Sequence, residues 1–100
     1  MSEQQILTIV VPVDLRDDVV DTLIGCETIS GFNMSTIAGY SREHSQYDLG
    51  EQVVGYRELF QFDVMHQNTY QDELLSRLRA GFASATVRYW ITSVREQGHV

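Results

Sequence analysis

One hundred residues with a single proline and no internal repeat fit one domain built around one core. The formal net charge is −7, and all seven basic residues are arginine: Arg16, Arg42, Arg57, Arg77, Arg79, Arg88 and Arg95. Such a surface repels phosphate backbones and anionic lipid, so nucleic acid and an anionic membrane face are excluded as expected partners. Hydrophobic residues make up 43% of the chain, enough for a packed core. A domain this small is only marginally stable alone, and oligomerisation would help it. No stretch is long and apolar enough to insert into a bilayer, and the polar first five residues do not read as a signal peptide. A lone cysteine, Cys26, cannot close an internal disulfide, and the expected compartment is the cytoplasm.

Residues 5–11 (QILTIVV) are almost continuously apolar, with β-branched residues on both parities, as in a strand buried on both faces. Asp14, after Pro12, can N-cap a helix whose first turn holds Asp17 and Asp18. Leu15, Val19 and Leu23, with Val20 and Ile24 beside them, form its apolar stripe, and Gly25 is its stop. Cys26 follows as a small apolar filler, since neither a helix N-terminus nor a cation activates it.

A second strand is expected over residues 32–38. Gly39 ends it and a polar stretch, residues 40–52, begins, containing Arg42, Glu43, His44, Tyr47, Asp48 and Glu51. A tight hairpin needs only about 2–5 connecting residues, so this stretch reads as a binding or signalling loop. With little apolar content to offset ordering entropy, it is expected to be flexible without ligand. Residues 53–65 form a third strand, with Val54, Tyr56, Phe60, Phe62 and Val64 on one parity. His66 then falls in a turn. Asn68 or Thr69 can cap a second helix, with Gln71 or Asp72 completing a capping box. Tyr70, Leu74, Leu75, Leu78 and Phe82 make that helix's stripe, which is core rather than a cofactor box. Residues 86–94 close the chain as a strand, with Tyr89 and Trp90 on opposite parities.

The order β-α-β-β-α-β is the split βαβ, ferredoxin-like arrangement. It is an α+β fold in which two helices cover one face of a four-stranded antiparallel sheet. The other face must hold one parity of the first strand, joined by Trp90 and Leu59 if Tyr89 and Phe60 face the helices. That apolar surface marks an interface between subunits packed sheet to sheet. Arg88 shares Trp90's parity and should pair with Glu58 or Asp63, within or across subunits.

The loop between the second and third strands and the run Gly39-Tyr40-Ser41-Arg42-Glu43 resemble the PII signalling-protein superfamily. The whole chain, from Gln5-Ile6-Leu7-Thr8 through Leu49-Gly50-Glu51-Gln52-Val53 to Tyr89-Trp90-Ile91-Thr92, more closely resembles the bacterial PII-like family DUF3240. The resemblance implies a homotrimer whose sheets line the centre, a T-loop-like projecting connection, and a link to heavy-metal efflux. The partner protein reached by the loop is unidentified, and the efflux link points to one located in a membrane. The chain also departs from the PII pattern. Where PII proteins carry a glycine-rich, lysine-bearing loop that cradles nucleotide phosphates, it has Ala80-Gly81-Phe82-Ala83-Ser84-Ala85. Glu43 replaces a magnesium-holding glutamine, Ser41 replaces a glycine, and only Arg95-Glu96-Gln97-Gly98 is similar to the arginine-bearing tail.

The ligand-contact candidates are Gly39, Tyr40, Arg42, Glu43, Arg88 and Arg95. Gly39 permits close backbone approach or a positive φ, and Arg42 can fork onto a phosphate or carboxylate. The cofactor is open between an adenine nucleotide and a divalent metal. The metal alternative uses Glu43, His44 and Asp48, an imidazole–carboxylate set suited to a transition metal. No Ser-His-Asp or Cys-His arrangement stands at recognisable spacing, so a non-enzymatic, ligand-sensing regulator is expected, with direct metal buffering as the alternative.

Overall fold

The structure is a computed structural model that describes residues 3–40, 55–82 and 86–100. The first strand, β1 (Gln4–Pro12), runs through a 3-10 turn (Val13–Leu15) into α1 (Arg16–Ile24), and β2 (Asn33–Gly39) follows. The chain returns as β3 (Arg57–Gln67), passes a second 3-10 turn (Asn68–Tyr70) into α2 (Gln71–Gly81), and ends on β4 (Arg88–Ser93). The four strands form one sheet in the order β2-β3-β1-β4, every neighbouring pair antiparallel. This is the expected ferredoxin-like α+β fold.

Placing β1 between β3 and β4 explains its apolar run. Leu7, Ile9 and Val11 face the helices and are buried, yet Thr8 and Val10 on the opposite parity are also buried, at 6% and 4% exposure. Register carries the helix-facing parity across the sheet. Leu7 stands opposite Val64 and Ile91, Ile9 opposite Phe62 and Tyr89, and Val11 opposite Phe60. Onto this surface α1 lays Val19 and Leu23 and α2 lays Leu74 and Leu78, with Cys26 filling the corner after α1. Phe62 lies at the centre, with the Phe32 ring tilted against it at 6.1 Å. Ile24 does not join its helix's stripe. It is 71% exposed, because one residue past the buried Leu23 the helix has turned by about 100°.

Both helix starts differ from expectation, and for one reason. Asp14 lies inside the first 3-10 turn, Asn68 and Thr69 inside the second, and neither helix has a side-chain cap. The turns themselves satisfy early donors, since Arg16 N–H reaches the Val13 carbonyl and Gln71 N–H the Asn68 carbonyl. The acidic residues keep their electrostatic role, with Asp17 and Asp18 in the first turn of α1 and Asp72 and Glu73 in that of α2. Arg16 donates to Asp17 Oδ1 at 2.9 Å and lies 5.8 Å over the Phe60 ring.

His66 is a strand residue, not a turn residue. β3 runs two residues past Met65, and the imidazole is 2% exposed. Its Nδ1 lies 3.2 Å from the Val64 carbonyl oxygen and its Nε2 3.1 Å from the side-chain oxygen of Gln5, its cross-strand partner. A buried ring with both nitrogens engaged is a structural polar group.

The other face of the sheet carries Ile6, Val10, Leu59, Met65 and Trp90, with Trp90 43% exposed. Asp63 is engaged here by Thr8 Oγ1, which donates to Oδ1 at 2.8 Å, and by Gln61 Nε2 at 3.4 Å. Glu58 sits on the opposite parity, beside Ala38. Arg88 therefore makes no ion pair with a carboxylate among the described residues of its own subunit.

Phe62→Ala removes the central ring and is expected to cost about 3–5 kcal/mol, read as a lowered urea midpoint at unchanged slope. Gly55 holds φ +84° where the chain re-enters the sheet. Gly55→Ala is expected to lose roughly 1–2 kcal/mol in the same measurement, because a Cβ is disfavoured in that region.

Candidate functional site

The site is the root from which the chain leaves β2 and re-enters β3. The two strands stay in register to their last pair, Gly39 opposite Arg57, with Ile37 opposite Leu59 two residues earlier. Gly39 is used for close approach and not for a positive φ, which among the described glycines only Gly55 adopts. An ideal Cβ on Gly39 would stand 2.5 Å from Leu59 Cδ1 and 3.5 Å from the Arg57 carbonyl oxygen, so the leucine occupies the space a side chain would need. Beyond that pair, the rings of Tyr40 and Tyr56 face each other at 5.9 Å and 45°, a tilted aromatic contact across the mouth of the hairpin. Tyr40 remains 77% exposed, so this contact leaves a ring surface open to a ligand or partner.

The remaining candidates divide. Arg42, Glu43, His44 and Asp48 lie outside the described residues, as does the expectation of flexibility for most of residues 40–52. Arg88 begins β4, at the root's end of the sheet but on its opposite edge, three strand spacings or about 14 Å from β2. Arg95 lies past the far end of β4, against a shallow depression shared with Glu3, Gln4 and Glu96. One subunit thus gathers Gly39, Tyr40, Tyr56 and Arg57 at the root and holds Arg88 and Arg95 apart from it.

Ala80 and Gly81, in the stretch corresponding to the PII phosphate loop, are helical here. Phe82 N–H donates to the Leu78 carbonyl at 3.0 Å, and residues 83–85 lie outside the described residues. Among the described residues no group of three His, Cys, Asp or Glu side chains stands close enough to hold a metal ion. No described helix is long and apolar enough to cross a membrane.

Sequence reasoning missed Tyr56 as the partner of Tyr40 and Leu59 as the residue lying over Gly39. Both follow from register, which could be counted only once the start of β3 was known to be Arg57 and not residue 53.

Comparison with known proteins bears on the whole length. A crystal structure of a DUF3240 family protein from Shewanella baltica OS155 matches with a TM-score of 0.80 and 37% identity, covering 100% of this chain and 99% of that one. The Bacillus cereus protein related to NIF3 matches at a TM-score of 0.70 and 15% identity, covering 98% of this chain and 27% of that one, which is a likeness of fold. No functionally curated protein matches the chain. The family model described as protein of unknown function, DUF3240, matches residues 1–100, and with that full-length match and the 37% identical structure the chain belongs to the DUF3240 family.

Proposed function

We propose that this protein is a non-enzymatic, PII-like regulatory adaptor that senses a small ligand and signals through the connection between β2 and β3. The observation that carries the reading is the root. Two strands paired to their last residues are joined by residues 40–56, far more chain than a hairpin turn uses, and by a mainly polar sequence. Leu59 packed over Gly39 and the Tyr40–Tyr56 ring contact fix where the connection leaves and re-enters the sheet, as a scaffold does for a working loop. The ligand acts by binding one loop arrangement better than another, and the loop then engages or releases a partner protein. Heavy-metal efflux, with a partner in the membrane, is the setting the PII-like resemblance favours.

The assembly is a homotrimer closed through the open face of the sheet. Ile6, Leu59 and Trp90 on that face keep apolar surface exposed, and burying a side chain of this kind is worth up to about 1.5–3 kcal/mol, stabilisation a 100-residue domain otherwise lacks. The separation of Arg88 from Gly39 within one subunit supports the same reading, in which a neighbouring copy contributes to the site.

Titration calorimetry with adenine nucleotides, zinc and copper tests the ligand class. An anionic ligand bound by the wild type is expected to be lost in Arg42→Ala and kept in His44→Ala. The reverse pattern, metal binding abolished by His44→Ala alone, assigns the protein to metal buffering through Glu43, His44 and Asp48. Trypsin adds a second readout, since Arg42 is the one basic residue in residues 40–56. Ligand should slow cleavage after it, and cleavage indifferent to every bound ligand removes the switch.

Sedimentation equilibrium tests the assembly. A species of three 11.4 kDa chains is expected at micromolar concentration, and Trp90→Glu should dissociate it. A monomeric wild type would sink the sheet-face interface.

A further inference from the structure

The apolar stripe of α2 is not wholly consumed by the core. Its last turns and the approach to β4 leave an open cleft of about 340 Å³ lined by Ile9, Leu75, Leu78, Phe82, Val87, Arg79 and Tyr89. That volume falls in the lower part of the range of small-ligand pockets, about 300–1,000 Å³. The floor is hydrocarbon: Ile9 and Leu78 are buried, and Leu75, Phe82 and Val87 are packed against the core from its edge. Its polar lining consists of one pair at the rim. Arg79 donates from Nη2 to the Tyr89 hydroxyl at 3.2 Å, and its guanidinium carbon stands 5.9 Å from the centre of that ring.

We infer that this cleft binds a free amphipathic monocarboxylate, with its hydrocarbon tail on Ile9, Leu78 and Phe82 and its carboxylate on Arg79 and Tyr89. The charge at the rim selects the head group. Among the described residues Arg79 is the only ionised side chain lining the cleft, and no carboxylate pairs with it. In a chain of net charge −7 with fourteen acidic residues, a guanidinium held by a phenol and not by an acid is an open anion position. The bond to Tyr89 occupies one of the five guanidinium N–H groups and leaves the phenol hydrogen free, so both can donate to one carboxylate. The same net charge disfavours a polyanion, a lone arginine cannot neutralise one, and a cationic head group would meet the like charge of Arg79 at the rim. The apolar walls demand a tail, because a small polar acid would leave them in water. This site is separate from the loop root, on the opposite edge of the sheet, and does not rest on the reading of the loop.

The probes are octanoate, 1-octanol and octylammonium, titrated into 15N-labelled protein and followed by amide shifts. Octanoate is expected to bind tightest, shifting Ile9, Leu78, Val87 and Tyr89. Arg79→Gln, an exposed position whose change leaves the core intact, should weaken octanoate about tenfold or more, the scale of a lost charge-assisted hydrogen bond, and leave octanol unchanged. Val87→Phe should fill the cleft and weaken both. If that variant fails to fold, Arg79→Gln alone decides. Four results each overturn the assignment: no saturable octanoate binding up to millimolar concentration, octylammonium bound as well as octanoate, shifts centred on Ile6 and Trp90, or indifference to Arg79→Gln. Octanoate affinity that falls as protein concentration rises would assign the cleft to a second copy of the chain and likewise overturn it.

Discussion

The pairing of β1 on both of its edges is the constraint from which the rest of this structure follows. Its backbone donors and acceptors are taken by β3 on one side and β4 on the other, so the strand has no free edge and its side chains have two faces to satisfy. A central position alone would still let one face meet water, as Met65 does on the equally central β3, but QILTIVV supplies apolar side chains for both faces. The helices cover the odd parity. The even parity is buried within its own sheet, Thr8 bonded to Asp63 and Val10 flanked by Gln61 and Arg88, with Trp90 and Leu59 nearby.

This asymmetry shapes the molecule's surface. Two helices of nine and eleven residues are long enough to cover one face, and there are no others among the described elements for the second. The Asp63 carboxylate on the open face is not merely solvated: it accepts from Thr8 and Gln61. Such a surface suits burial against another copy better than a scatter of unpaired charges would, because desolvating a carboxylate that already accepts two hydrogen bonds costs less than desolvating a bare one. Arg88, on the same face, makes no ion pair with a carboxylate among the described residues.

The two edges of the sheet are finished differently. At the β2 edge the chain leaves through a root where Leu59 Cδ1 lies over Gly39 and the Tyr40 and Tyr56 rings meet. At the β4 edge α2 ends at Gly81 before the sheet is fully covered, and the uncovered hydrocarbon remains as a cleft rimmed by Arg79 and Tyr89. Close packing at one edge and a gap at the other put a packed exit and an open volume on opposite sides of one sheet. Each suits a different task, presenting a segment of chain in one case and admitting a small molecule in the other.

The sequence alone determined the element order, the strand parities and the burial of β1 on both faces, because each rests on periodicity that local residues must obey whatever surrounds them. Trp90 and Leu59 lying opposite Tyr89 and Phe60 was legible for the same reason, as was Cys26 as core filler, while the packing of the helices decided which set they cover. What tertiary structure decided was every feature that depends on where an element stops. Two short 3-10 turns displaced Asp14, Asn68 and Thr69 from the caps their identities suggested, because backbone carbonyls at Val13 and Asn68 took the donors first. Two further residues of strand made His66 a buried partner of Gln5 and not a turn residue. Register, fixed by pairing across the sheet, set Leu59 over Gly39 and Tyr56 against Tyr40, and separated Arg88 and Arg95 from the root. The cleft under Arg79 arises from how far α2 extends over β4, a distance between elements that periodicity within either of them does not encode.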